Sequence, residues 1–191
     1  MKQLIVALIA LGIAIGAFYY LQTTQKQQQP TPLAKLIPTN TIKHMMTINS
    51  TAFQDNGTIP DKYTCKGENV NPPLSFSNVS HNAKSLVLLV DDPDAPMGTF
   101  VHWVVFNMSP DTKEIPENSV PVNSVQGVNS AQKNSYMGPC PPSGTHHYFF
   151  KLYALDIMLA ADAHADKKTI EQKMQGHIIE QAQLVGLYSH R

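Results

Sequence analysis

The chain has 191 residues, a hydrophobic content of 42% and a formal net charge of +0. This length and composition suit one ordinary globular domain and exclude a chain that is disordered throughout. Fourteen Lys and Arg residues balance fourteen Asp and Glu residues, so the chain lacks the global basic field that attracts nucleic acid. Nucleic-acid binding is therefore not expected.

The N-terminal segment is apolar. Residues 4–21 carry no charge and follow Lys2, a pattern typical of a secretory signal sequence or an N-terminal membrane anchor, which we assign to residues 1–22. Aromatic residues at 18–20 resemble an interfacial belt and favour an uncleaved anchor; cleavage is left open. Residues 23–41 are rich in Gln, Thr and Pro and predict a flexible linker. We therefore expect an exported domain at residues 42–191, periplasmic or anchored to the inner membrane and facing outward.

The chain has two cysteines, Cys65 and Cys140. In an oxidising compartment an even number of cysteines favours a disulfide, which here would stabilise the fold by roughly 2–4 kcal/mol. A catalytic thiol or a metal ligand is the alternative, although no Cys-x-x-Cys repeat supports a metal site. We expect the disulfide.

Three apolar runs predict buried strands. Ser85–Val90 and Val101–Met108 are apolar at both odd and even positions, as in strands that are covered on two faces, and His147–Leu155 is a third run. Proline- and asparagine-rich connectors separate these runs.

Only the C-terminal tail has a helical pattern. Its apolar residues and one histidine recur at spacings of three, four and seven, with a start near Thr169. The residues in this pattern are Ile170, Met174, His177, Ile178 and Val185. The predicted fold class is therefore mostly β with a C-terminal helix.

The sequence DPDAP follows the first predicted strand. Pro93 biases Asp92 towards an extended backbone and Pro96 stiffens the exit, so the loop is expected to be rigid. Asp94 is interpreted as a turn residue. Asp92 ends a buried strand, where a carboxylate needs a partner, and His102 lies near the start of the next strand.

The third strand separates two adjacent histidines. Its two-residue period places His146 and Tyr148 on one face and His147 with Lys151 on the wetter face. Asp92, His102, His146 and Tyr148 then suggest an anion pocket. Protonated histidines and the tyrosine hydroxyl would donate hydrogen bonds, and the carboxylate would fix a histidine tautomer. The alternative is that each side chain is satisfied separately within the sheet.

Four motifs carry a family resemblance. They are DPDAP at 92–96, HWVVFNM at 102–108, GPCPPSGTHHY at 138–148 and YTCKGENVNPPLSF at 63–76. Together they resemble the phosphatidylethanolamine-binding protein family, also called Raf kinase inhibitor-like proteins, and most of all its bacterial branch. Residues 176–191 resemble the closing helix of that branch. The resemblance covers the chain from about residue 45 onward, but position 147 is histidine where the family commonly has arginine.

The resemblance implies a β-sandwich around a central antiparallel sheet, with a small anion pocket at its edge. Carried over motif by motif, the ligand-binding residues would be Asp92, Pro96, His102, Gly138, Pro142, His146 and Tyr148. The proposed disulfide would brace the pocket wall. No cofactor is expected.

The expected function is a non-catalytic binding module for a small anionic, phosphorylated ligand, with a phospholipid headgroup as one candidate, and with a regulatory role at the cell envelope. Kinase inhibition is not carried over, because an exported protein meets no cytosolic kinase. Two alternatives stay open. One is a metal-dependent hydrolase using Asp92, His102 and His146, and the other is an inhibitor that meets an envelope protease through its surface.

Overall fold

The computed structural model describes residues 45–189. The predicted signal or anchor at 1–22 and the predicted linker at 23–41 lie outside the described residues. Within 45–189, no helix is long and apolar enough to cross a membrane.

The described residues form short and long strands, one 3-10 helix at Asp61–Tyr63 and one α-helix, α1, at Lys167–Met174. The strands are β1 Thr47–Ser50, β2 Gly57–Thr58, β3 Leu74–Ser77, β4 Ser85–Asp92, β5 Phe100–Met108, β6 Glu114–Ile115, β7 Val125–Gln126, β8 Thr145–Leu155 and β9 Ile178–Ser189. The three runs that the sequence predicts as strands are β4, β5 and β8, so the mostly β fold class is confirmed.

Two sheets build the domain. The six-stranded sheet has the order β2-β9-β8-β4-β5-β7, and the three-stranded sheet has the order β1-β3-β6. The strand pairs are antiparallel except for the short parallel pair of β2 with β9. In the central pair, Val90 of β4 lies opposite Phe150 of β8. The end of β4 therefore lies beside the start of β8.

The six-stranded sheet is covered on both faces, which explains why β4 is apolar at every position from Leu86 to Val90. Leu88 and Val90 belong to a core cluster shared with the three-stranded sheet. Val87 belongs to a second cluster, shared with Ile170 and Met174 of α1. All eight residues of β4 are buried. Burying side chains of this size stabilises the fold by about 1.5–3 kcal/mol each.

The C-terminal helix is shorter than the sequence pattern predicts. Asp166 caps α1 by accepting a hydrogen bond from the Thr169 backbone N–H at 2.8 Å, and the helix ends at Met174. Gly176 follows with φ +80°, a left-handed conformation that terminates helices. The expectation that residues 176–191 form a closing helix is wrong for Ile178–Ser189, which form β9 and pair with β8 along its whole length.

Helix α1 is tied to the central sheet by a buried charge cluster. Asp91 is completely buried, with Lys151 Nζ 2.9 Å from its Oδ1 and Lys167 Nζ 2.6 Å from its Oδ2. Lys151 comes from β8 and Lys167 from the first turn of α1. A buried carboxylate needs such cationic partners, so Asp91 fixes where the helix begins on the sheet.

Candidate functional site

A cavity of about 380 Å³ opens at the sheet edge where β4 ends and β8 begins. Its floor is made by four buried polar residues: Asp92, His102, His146 and Tyr148. One wall is the loop at residues 95–98, continued by Phe100, and the other is residues 140–142 with Met137. The walls are mainly apolar, so the polar groups are concentrated at the floor.

Asp92 and His146 form a buried pair at the floor. The Nδ1 atom of His146 lies 2.7 Å from Asp92 Oδ2, and both side chains are less than a tenth exposed. Asp92 Oδ1 accepts the backbone N–H of Asp94 at 2.8 Å, which closes the turn after β4. Both carboxylate oxygens therefore have protein partners. The carboxylate accepts from Nδ1–H of His146 and leaves the Nε2 edge of the ring for a ligand.

His102 is held by a backbone carbonyl. Its Nδ1 atom lies 2.6 Å from the carbonyl oxygen of Met137, and because a carbonyl oxygen only accepts hydrogen bonds, Nδ1 carries the proton. Burial lowers the pKa of His102, an effect that the Met137 carbonyl and the charge of Asp92 only partly oppose. The expectation of protonated histidines is therefore wrong for His102 at neutral pH. Its ring is neutral there, and Nε2 is a hydrogen-bond acceptor.

The pKa of His102 predicts a pH-dependent stability. Because the folded-state pKa lies below the unfolded value of about 6.5, this contribution is fully present above about pH 6.5 and is lost as the pH falls through the folded-state pKa. We expect chemical denaturation at stepped pH to show that His102→Gln, which can still donate to Met137, loses less stability on acidification than the native protein. Equal losses in the two proteins would contradict this.

Tyr148 completes the floor with a hydroxyl that lacks a partner. The side chain is 1% exposed, and its hydroxyl oxygen makes no hydrogen bond of acceptable geometry within the described residues. Burial raises the pKa of Tyr148 far above its usual value; the charge of Asp92 adds to this effect and the backbone of Cys140 opposes it. The hydroxyl thus stays protonated. It is a donor on the floor of the cavity that no protein acceptor satisfies.

The loop at the cavity mouth is anchored to β8 on the side that faces away from the cavity. Asp94 Oδ2 accepts both the backbone N–H and the Nδ1–H of His147, at 2.8 and 2.7 Å. These hydrogen bonds hold the pKa of Asp94 below its usual value. His147 points away from the floor, as the strand period predicts, and Asp94 ties the loop to β8. Met97, at the tip, is fully exposed.

The second wall is braced by the predicted disulfide. Cys65 and Cys140 are bonded, with their Cα atoms 5.5 Å apart, so the disulfide prediction is confirmed. Cys140 itself lines the cavity.

Gly138 is not among the residues that line the cavity, although its backbone contacts His102. Its N–H donates to Asn69 Oδ1 at 2.7 Å and is therefore already used. A Cβ atom at this position would lie 2.3 Å from the carbonyl oxygen of Tyr63. Glycine is required here because two backbone segments approach closely.

The structure brings together the other predicted site residues: Asp92, Pro96, His102, Pro142, His146 and Tyr148. Sequence reasoning missed the apolar wall, which includes Met97, Phe100 and Met137. Met97 and Phe100 lie within eight residues of Asp92, so the loop's own composition could have indicated them. Met137 could not be inferred, because its place in the cavity wall depends on a contact with His102, which is distant in sequence.

Among residues 45–189 there is no group of three or more His, Cys, Asp or Glu side chains arranged to hold a metal ion. The alternative of a metal-dependent hydrolase therefore gains no support from the described part of the chain.

Comparison with known proteins decides the family. The family profile named Phosphatidylethanolamine-binding protein matches residues 49–189. The chain belongs to this family. A UPF0098 protein of Methanothermobacter thermautotrophicus is 49% identical over 148 residues, covering 75% of this chain and 98% of the relative. A UPF0098 protein of Chlamydia trachomatis is 43% identical, with the same coverage of both chains.

Solved structures agree with the family assignment. A phosphatidylethanolamine-binding protein homologue from Chlamydia trachomatis superposes with a TM-score of 0.74 at 42% identity, covering 77% of this chain and 99% of its own. The Escherichia coli protein YBCL, described as a member of the mammalian family, gives a TM-score of 0.72 at 26% identity. The match covers 76% of this chain and 99% of YBCL. The similarity to bacterial members fits the bacterial branch named from the motifs. Family membership supports a ligand-binding module.

Proposed function

We propose that this phosphatidylethanolamine-binding family member is a non-catalytic binding module for a small phosphorylated anion, such as a phospholipid headgroup, and that it acts in regulation at the cell envelope. The cavity supplies hydrogen-bonding groups at its floor and mainly apolar walls, an arrangement typical of small-molecule sites. The described residues that line it include no serine and no free cysteine.

The observation that carries the proposal is the unpartnered hydroxyl of Tyr148. A buried polar group without a hydrogen bond carries a desolvation cost of about 1–3 kcal/mol, which a ligand oxygen that accepts from the hydroxyl would remove. The rings of His102 and His146 lie beside the ring of Tyr148, with centroids 5.2 and 6.5 Å from its centroid. All three side chains line the same cavity, and the proposal is that one small group contacts all three.

The protonation of the floor favours a singly charged, protonated phosphate over a fully ionised one. At neutral pH the Nε2 atom of His102 accepts a hydrogen bond, so a P–OH group suits it, while the unprotonated phosphate oxygens accept from Tyr148. Asp92 adds a negative charge close by, although its two oxygens are already hydrogen bonded. A dianion would face this charge with less compensation.

The test is Tyr148→Phe, which removes the unpartnered oxygen and keeps the ring. We expect phosphate and phosphoethanolamine to bind the full-length variant about fivefold to tenfold more weakly, the loss of about one hydrogen bond. We also expect the unliganded variant to be as stable as the native protein or more so, because a buried unsatisfied group is removed. Calorimetric titration and thermal unfolding measure the two effects.

The matched control is Tyr153→Phe, a tyrosine on the opposite face of the same strand that does not line the cavity. It should leave phosphate affinity unchanged. Native affinity in Tyr148→Phe, or no binding of phosphate, phosphoethanolamine or simple carboxylates by the native protein, would refute the proposed function and shift attention to surface-mediated protein partners.

A further inference from the structure

The wall formed by residues 140–142 depends on a junction between two loops. Segment 136–140, which leads into this wall, is joined to segment 63–69 by one covalent bond and three hydrogen bonds. The hydrogen bonds are Tyr136 hydroxyl to Tyr63 carbonyl at 3.0 Å, Cys65 N–H to Pro139 carbonyl at 3.1 Å and Gly138 N–H to Asn69 Oδ1 at 2.7 Å. The disulfide is the tie placed closest to the cavity, because Cys140 is itself a lining residue.

Both half-cystines are exposed, whereas the four residues of the cavity floor are buried. We therefore expect solvent thiols to reach this disulfide without unfolding of the core. Exposed disulfides are more often the labile and regulatory ones, while structural disulfides resist reduction. The chain contains no third cysteine, so the reduced protein has one dithiol and a single possible intramolecular disulfide.

We propose that the Cys65–Cys140 disulfide is a thiol-exchange site through which a dithiol reductant loosens, and reoxidation restores, the wall of the ligand cavity. The occupant of the exchange site is a dithiol, either a small molecule or a protein with two neighbouring exposed thiols. The consequence for ligand affinity rests on the proposed function; the consequence for the wall does not.

The thiol–disulfide exchange takes place in two steps. A thiolate of the reductant attacks Sγ of Cys65, the bond between the two cysteine sulfurs breaks, and Cys140 leaves as a thiolate that takes up a proton from water. The second thiol of the reductant, as a thiolate, then attacks the mixed disulfide and releases Cys65, which also takes up a proton. Two electrons pass from the dithiol to the cysteines, and the dithiol becomes a disulfide.

Reduction is expected to loosen the wall without unfolding the domain. The three hydrogen bonds still hold segment 136–139 against segment 63–69, and the core clusters contain neither cysteine. What is lost is the covalent restraint at Cys140, whose backbone also lies close enough to Tyr148 to affect its pKa. The change should therefore be confined to residues 140–145 and to the floor beside them.

Ligand binding and reduction must oppose each other to the same extent. If reduction weakens ligand binding by a given factor, thermodynamic linkage requires that bound ligand make reduction less favourable by that factor. A ligand in the cavity would also cover the Cys140 side of the bond. We expect a factor of at least about five, the lower end of usual coupling between sites.

The experiment uses full-length protein that is oxidised or reduced with dithiothreitol, together with a Cys65→Ser, Cys140→Ser double variant as a permanently open form. Alkylation and mass measurement follow reduction under native conditions, with and without phosphoethanolamine. Amide hydrogen exchange reports on the wall at Cys140, Ser143, Gly144 and Thr145. Titration with phosphoethanolamine reports on affinity. Thermal unfolding shows that each form is folded.

The expected result is complete reduction of the folded protein and faster amide hydrogen exchange limited to residues 140–145. We also expect affinity for phosphoethanolamine to be at least about fivefold lower in the reduced and double-variant forms. Reduction that occurs only when the protein unfolds would overturn the proposal. Amide hydrogen exchange at residues 140–145 that is unchanged by reduction would also overturn it. If the oxidised protein binds no phosphoethanolamine, only the proposed function fails, because native reduction and local exchange decide the thiol-exchange site independently.

Discussion

Asp92→Asn is expected to weaken phosphate binding at least about tenfold, a loss of about 1.4 kcal/mol. The carboxylate accepts the Nδ1–H of His146 at 2.7 Å and thereby fixes both the tautomer and the orientation of the ring. Asparagine can turn its NH₂ group towards Nδ1 and favour the opposite tautomer. With Nδ1 protonated, Nε2 of His146 accepts a hydrogen bond from a P–OH group of the protonated phosphate; in the opposite tautomer Nε2 carries the proton, and that P–OH group loses its acceptor.

The same substitution should also lower stability, by about 1.5–3 kcal/mol, because a hydrogen bond to a buried charged group is lost. Titration with phosphate and chemical denaturation measure the two effects.

Asp94→Asn is the matched control, since this loop has a second aspartate paired with a histidine at the same distance. The pair of Asp94 with His147 is about half exposed, so it contributes little, about 0–1 kcal/mol. We expect less than about a twofold change in phosphate affinity in this variant. Equal effects of the two substitutions would show that general loop charge, and not the buried pair, determines binding.

Gly138→Ala is expected to destabilise the fold strongly for a change of a single methyl group. The added Cβ would lie 2.3 Å from the Tyr63 carbonyl oxygen, 2.7 Å from Thr64 Cα and 2.8 Å from Asn69 Oδ1. Two of these atoms are backbone and cannot rotate away. Overpacking of this kind costs about 1–3 kcal/mol, which corresponds to a melting temperature lower by about 3–10 °C.

Ser143→Ala, in the exposed part of the same loop, serves as the control and should change the melting temperature by less than about 1 °C, as surface substitutions usually do. Scanning calorimetry of both variants measures this difference. A Gly138→Ala protein that melts at the native temperature would mean that the two segments separate without cost, and that close backbone approach does not require glycine at this position.

The strands next to the site were predictable because their sequence patterns are local. Burial on two faces makes the middles of β4 and β5 apolar at consecutive positions, and the two-residue period of β8 separates His146 from His147. Strand β9 was not predictable in the same way, because the spacing of Ile170 and Met174 continues by chance into Ile178. Gly176 was the available stop signal, and pairing with β8 then overrides any helical preference beyond it.

The sequence predicted those site residues whose positions follow from the strand or loop in which they lie. The Asp92 carboxylate and the two cavity histidines follow from strand ends. The neutral state of His102 does not, because it depends on burial and on the carbonyl of Met137, which is distant in sequence. The packing of Gly138 against Tyr63 was not predictable for a related reason: sequence shows that glycine permits a close approach but does not show which partner approaches.

The end of β4 carries two adjacent aspartates with separate sets of partners. Asp91 meets lysines of β8 and α1 on one face, and Asp92 meets His146 on the other. Substitutions can therefore alter one cluster while the other keeps its contacts. An inserted or deleted residue within β4 would exchange the two faces and place each carboxylate opposite the wrong partners. Over evolution this strand should accept changes of residue type far more readily than changes of length.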